Sequence, residues 1–271
     1  MRGAKAAALN SETRLKPADG ESGSSPLQGG SAVEPGPSRA GHTAQPYIPP
    51  PHLLRLLQLA DSAFPTGAFA FSNGLEGLAH LDLVRDEAAI TAAIRVQVEE
   101  GLAGIELPAV FHAHAYAREE RIDALVSLDE LLTALKPVPA FRAASLRVGR
   151  RFLESAAAIV DDDVVWAYRA AGNVHHAAAW GVVCARARLD AETAALTFAS
   201  VALHGQTAAA VRLGLIGQSA AQRIATALQP DLVAAVASAS TTGLEEMGAY
   251  QPCFDIAGLR QPALETRLFA S

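Results

Sequence analysis

The chain has 271 residues, 50% of them apolar, 18% charged and 6% aromatic, with a formal net charge of -6. That apolar content can bury a core and excludes wholesale disorder, and the acidic balance lacks the footprint of a general nucleic-acid binder. Only three lysines occur, Lys5, Lys16 and Lys136, and Lys136 precedes a proline, so no G-x-x-x-x-G-K-[ST] loop exists and the chain is not itself a P-loop NTPase.

Residues 1–48 read as a disordered extension, rich in Pro, Gly and Ser with Tyr47 as its one aromatic. Glu12, Asp19, Glu21 and Glu34 argue against a transit peptide, and no apolar core of a secretory signal is present. Residues 49–271 read as one all-α domain, a single-domain helical bundle of roughly eight to ten helices with alanine-faced contacts. Helix starts are predicted at Asp123, at Ser219 with Gln222 and at Thr242 with Glu245; stops are predicted at Lys136-Pro137, Gly172-Asn173, Gly217 and Gln229-Pro230. The uncharged stretch 193–211 has membrane-spanning length, but Thr193, Ser200, His204, Gln206 and Thr207 make it a core helix, and no membrane is expected. Cys184 and Cys253 lack C-x-x-C neighbours, which predicts a reducing, cytoplasmic setting.

The most distinctive segment is LLRLLQLADSAFPTGAFAFSNGLEGL, residues 53–78. A short amphipathic helix enters a Pro- and Gly-bearing turn, and Asn73 with Glu76 resembles a capping box for the next helix. On spacing alone this is a structured interhelical loop; its functional reading is a rigid loop presenting Asp61, Ser62 and Glu76, with Phe64 as an anchor. His112 and His114 fall on nearly opposite sides of a helix and cannot easily share an ion, while of His175 and His176 one is expected to face inward and the other solvent. No preformed metal site is expected. No G-x-S-x-G elbow exists, and Cys184 reads as a small core residue, so catalytic templates find no support. Arg142, Arg147, Arg150 and Arg151 cluster in FRAASLRVGRRFL, either as an arginine face paired with neighbouring carboxylates or as a dock for an acidic or nucleotide-bearing partner. The last stretch, with Arg260, Arg267, Leu268 and Phe269, is apolar and arginine-bearing, and is expected to dock on its own bundle or on a second molecule.

Five segments in order, LLQLADSAFPTGAFAFSNGLE, RVGRRFL, HHAAAWGV, AAAVRLGLIGQSAAQRI and DIAGLRQPALETRLFAS, resemble the UreF family of urease accessory proteins over residues 53–271. The resemblance implies an all-α, non-enzymatic protein that acts in maturing the nickel centre of urease. It implies a homodimer that binds UreD (UreH in some organisms), recruits and regulates the UreG GTPase and docks on apo-urease, with nickel in transit and no tightly bound cofactor. By motif it places partner contacts at Asp61, Ser62, Phe64 and Glu76, and at Arg260, Arg267, Leu268, Phe269 and Ser271. Arg147, Arg150, Arg151 and Arg212 match motifs that would touch UreG or UreD. His176 matches a family histidine and is a weak metal candidate, although Ala177-Ala178-Ala179-Trp180 replaces a run where relatives carry Pro and Val; Phe71 stands where relatives have Tyr or His. Two other readings stand beside this one: a metal-binding enzyme using His175, His176 or His112, and a helical adaptor unrelated to nickel.

Overall fold

The computed structural model describes residues 51–264 and 266–270; the extension expected over residues 1–48 and the contact expected at Ser271 lie outside the described residues. The fold is all-α. In chain order it comprises α1 (Pro51–Ala60), α2 (Leu75–His80), α3 (Glu87–Val96), α4 (Leu107–Arg118), α5 (Ile122–Leu135), α6 (Pro139–Ala157), α7 (Asp163–Ala170), α8 (His176–Arg186), α9 (Ala191–Arg212), α10 (Gln218–Ala227), α11 (Gln229–Ala239) and α12 (Pro252–Arg260). Short 3-10 turns occur at Ala68–Ala70, Leu244–Glu246 and Gln261–Ala263, and no strand occurs among the described residues. There are more helices than the eight to ten expected, partly because α10 and α11 abut at Leu228. A π-helical segment, Gln97–Glu106, joins α3 to α4.

Helix α8 is the axis of the bundle. Ala177, Ala178, Ala179, Gly181, Val182, Val183 and Cys184 are all buried, so the helix is apolar all round. Its closest neighbour is α4, and Gly181 is the reason. A methyl group there would meet the Val110 carbonyl oxygen at 2.5 Å and the Ala113 side chain at 2.9 Å. Trp180 fills the space toward α9, where its indole N–H donates to the Ala194 carbonyl at 2.9 Å. Helix α9 is long and apolar enough to cross a membrane, and half of that stretch is buried inside the fold.

Several helix ends differ from those predicted. Asp86, Asp162 and Asp190 are carboxylates that accept first-turn N–H groups, from Ala89 at 2.8 Å, Val164 at 3.0 Å and Thr193 at 2.7 Å. Asp123 lies inside the first turn of α5, whose cap position is Arg121. Ser219 is likewise inside α10, capped by Gly217, and Gly243 rather than Thr242 precedes the 244–246 turn. Helix α9 stops at Gly214, not Gly217: its φ of +73° lets the Leu215 N–H reach back to the Ala210 carbonyl at 3.1 Å.

Candidate functional site

The loop after α1 is built from local hydrogen bonds. An Asp61 carboxylate oxygen accepts the Ala63 N–H at 2.7 Å, and the Thr66 hydroxyl accepts the Ala68 N–H at 3.1 Å. Asp61 and Ser62 are exposed, as the sequence suggested, while Phe64 is half-buried with its ring 5.5 Å from Phe152. The capping box expected from Asn73 is absent. Asn73 adopts a positive φ, and Ser72 takes its place, accepting the Glu76 N–H at 3.3 Å. Glu76 is therefore not part of an exposed loop: it is 1% exposed, and its side chain turns toward the far end of the chain. Its carboxylate accepts the Leu268 N–H at 2.6 Å, the Phe269 N–H at 3.3 Å and the Gln261 side-chain amide at 2.9 Å.

That contact brings the two ends of the domain together. The Ala270 N–H donates to the Ala70 carbonyl at 2.8 Å. The Phe269 ring is buried beneath Arg212, whose guanidinium lies 4.3 Å from the ring centroid and also donates to the Phe69 carbonyl. On the other side of the loop, Arg147 sits 5.7 Å from the Phe71 ring, and Arg151 lies against Gly67. Arg150 is exposed on the same helix. Arg260, at the end of α12, lines a groove with Gly77, His80 and Leu264; Arg267 and Leu268 line a second one with His80 and Leu213. Phe69 is 74% exposed and Leu268 64%. Among the described residues, none of Arg142, Arg147, Arg150 and Arg151 is in an ion pair, so the predicted alternative of an arginine face paired with neighbouring carboxylates does not hold there; Arg142 donates instead to the Lys136 carbonyl, and Arg212 and Arg267 likewise form no ion pair among the described residues.

The histidines form no comparable surface. His112 and His114 point apart, as expected: one bonds the Thr242 carbonyl at 3.0 Å, the other the Leu189 carbonyl at 2.8 Å. The expectation that one of His175 and His176 would face solvent is wrong. Gly149 of α6 lets the backbone of residues 174–176 lie directly on that helix; His175 is fully buried and His176 half-buried, its ring packed among aromatic side chains rather than standing in solvent. The His175 ring lies between two hydroxyls, Ser145 at 2.9 Å on Nδ1 and Thr133 at 3.0 Å on Nε2. The Thr133 hydroxyl already donates to the Asp129 carbonyl at 2.9 Å, so Nε2 must carry the proton and Nδ1 accepts from Ser145. The Asp129 carboxylate accepts the Tyr168 hydroxyl at 2.6 Å and the His175 backbone N–H at 2.8 Å. His176 instead packs among aromatic rings, 5.1 Å from Phe198 and 5.7 Å from Phe152.

Electrostatics follow from this burial. Desolvation, aided by the Lys136 ammonium, pushes His175 down to about 4, and burial does the same to His176. Burial raises Asp129 to about 7 against the hydrogen bonds that favour its ionised form. Burial also opposes ionisation of Glu106, but its ion pair with Lys136 outweighs this and holds the carboxyl below its usual range. The Cys184 thiol is pushed well up by burial, consistent with a core residue. No three His, Cys, Asp or Glu side chains converge to hold a metal ion among the described residues.

The two histidine shifts predict acid sensitivity, partly offset by Asp129, whose raised value makes its protonation favour the fold as pH falls below about 7. A histidine at about 4 in the fold and near 6.5 when unfolded resists protonation, so its full contribution is present above pH 6.5 and is lost as pH falls toward 4. Each ring accounts for about 3 kcal/mol over that window. His176→Phe keeps the ring volume and removes the titration. Thermal unfolding of this variant between pH 7 and 5 should show a clearly shallower fall in Tm than the parent; parallel curves would mean that His176 accepts its proton freely.

The UreF family model matches residues 84–229, more than half of the chain. A urease accessory protein UreF of Trichodesmium erythraeum is 30% identical over 223 residues, covering 80% of this chain and 96% of the relative. Its counterpart in Bacillus sp. strain TB-90 is 32% identical over 228 residues, covering 81% and 99%. That of Paenarthrobacter aurescens is 31% identical over 226 residues, covering 80% and 97%.

Proposed function

This chain belongs to the UreF family of urease accessory proteins, and on that premise we propose that it serves as a scaffold in the maturation of the urease nickel centre. As a member of that family it is an accessory protein rather than an enzyme. In this reading two copies bind UreD (UreH), the complex recruits the UreG GTPase and docks on apo-urease in the cytoplasm, and nickel passes through without being held. The observation that supports it is the face where the two ends of the domain meet. Two large apolar side chains, Phe69 and Leu268, stand in solvent on a face whose arginines form no ion pair among the described residues. Aromatic residues and arginine are the side chains that dominate interface energetics, and guanidiniums suit an acidic partner surface.

The test is co-purification of the full chain with UreD and UreG from the same source, in the presence of nickel and GTP, alongside urease activation. Arg267 and Leu268 carry exposed side chains, so the double variant Arg267→Ala/Leu268→Ala should keep its Tm within about 2 °C. Partner retention and urease activation should fall by at least about tenfold, the loss typical of a truncated interface anchor. Undiminished activation by the folded variant would remove these residues from the contact.

A further inference from the structure

We propose that α7 is a hinged flap over a buried polar cluster and that the charge on Asp129 governs it: with Asp129 neutral the flap stays shut, and with Asp129 ionised it opens to let water reach the carboxylate.

The cluster lies where α5, α6, α7 and the entry to α8 meet. Asp129, Thr133, Ser145, Tyr168 and His175 are joined there by hydrogen bonds. Helix α7 supplies one member, the buried Tyr168, whose hydroxyl donates to Asp129 at 2.6 Å. The helix is short enough to move as a piece: it has 8 residues, of which Val164, Val165 and Tyr168 are buried. Its start is pinned by the Asp162–Arg186 pair at 2.8 Å, whereas Arg169 and Glu154 farther along are 3.9 Å apart. Residues 169–173 are exposed, and Gly172, at a φ of +127°, has open space around it. Glycine at such a φ rotates without a side-chain clash, so the turn that carries Tyr168 can swing about it.

Asp129 is 2% exposed and is in no ion pair among the described residues. The titratable groups bonded to it are neutral: burial keeps Tyr168 of α7 protonated and the His175 ring at the entry to α8 unprotonated. Lys136, at the end of α5, pairs with Glu106 of the π-helical segment, and Arg142 of α6 donates to the Lys136 carbonyl at 3.1 Å. No charge from α4 acts on the carboxyl. Two neutral donors do not replace the water that an ionised carboxylate loses, so burial lifts Asp129 from 3.8 to about 7. Swinging Tyr168 away hydrates the carboxyl and returns it to its ordinary value. Opening therefore releases a proton, and rising pH favours it until the closed form is itself ionised, at about 7. The His175 ring is held by α5 and α6 rather than by α7, so it stays in place when the flap moves. Its opposite pH dependence belongs to unfolding of the whole bundle.

The test is amide hydrogen exchange of the full chain between pH 5 and 8, with each rate divided by that of an unstructured peptide at the same pH. The opening of residues 166–170 should rise at least about thirtyfold over that range, most of it below pH 7, with no such rise in α4 and α8. Asp129→Asn removes the titration and should flatten the α7 profile. If that variant does not fold, Tyr168→Phe decides in its place. It withdraws a bond that favours the ionised form, so the NMR titration midpoint of the Asp129 carboxyl carbon should move above that of the parent. A parent midpoint near 4, or an α7 profile indifferent to pH, would overturn control by charge. Residues of α7 that open only together with α4 and α8 would overturn the flap. A rise that survives in Asp129→Asn, or a midpoint unmoved in Tyr168→Phe, would overturn the coupling of α7 to Asp129.

Discussion

Asp129→Ala should lower the unfolding free energy by about 4 kcal/mol, a large part of what a domain of this size has. The carboxylate is 2% exposed and accepts from Tyr168 of α7 and from the backbone entering α8, while residing on α5. Its removal leaves two buried donors without an acceptor, each costing about 1–3 kcal/mol, and frees the His175 segment that closes α6 against α8. Tyr168→Phe removes one donor together with its need for a partner and should cost only about 1–2 kcal/mol. Urea midpoints at constant slope are the measurement. An Asp129→Ala variant within about 1 kcal/mol of the parent would mean that this network is not what ties the four helices together.

The second large effect lies where α4 and α8 touch. Gly181→Ala places a methyl 2.5 Å from the Val110 carbonyl oxygen, and backbone cannot rotate away as a side chain would. Overpacking of this kind should cost about 3 kcal/mol and separate the two central helices. Gly205→Ala supplies the opposite sign. Gly205 is exposed within α9 and a methyl there meets nothing within 4 Å, so the substitution should stabilise by roughly 1 kcal/mol through lost chain entropy. Parallel thermal melts of both variants would check the argument; equal shifts in one direction would refute it.

The helical class was legible in the sequence because it depends on local composition: alanine, leucine and arginine at helical spacing leave few alternatives. The aspartate caps Asp86 and Asp190 follow ordinary rules, yet Asp123, Ser219 and Thr242 obey the same sequence pattern without capping, since a capping residue competes with its neighbours for the same N–H groups. Glu76 was misread for a different reason. Three residues after Asn73 it fits a capping box, but its partners lie at Leu268 and Phe269, and no local pattern reports a contact at that separation. His175 and His176 were hidden in the same way: the backbone that carries them is seated on Gly149 of another helix. The π-helical segment also had no signature beyond Gly101 and Gly104, and a hydrogen bond from the Gly248 N–H to the Gly104 carbonyl ties it to a distant loop. The arginine cluster is legible from spacing, but that it forms no ion pair among the described residues emerges only in three dimensions.

The bond from Leu268 to Glu76 spans 192 residues, and this separation orders events during synthesis. The ribosome delivers the 61–76 loop early, and α4, α6 and α8 can assemble around it while the segment that completes the face is still untranslated. A chain interrupted after α12 would therefore carry an intact helical core and neither of the backbone donors to Glu76. Completion of this face thus waits on the arrival of residues 268–270 rather than on the folding of the bundle.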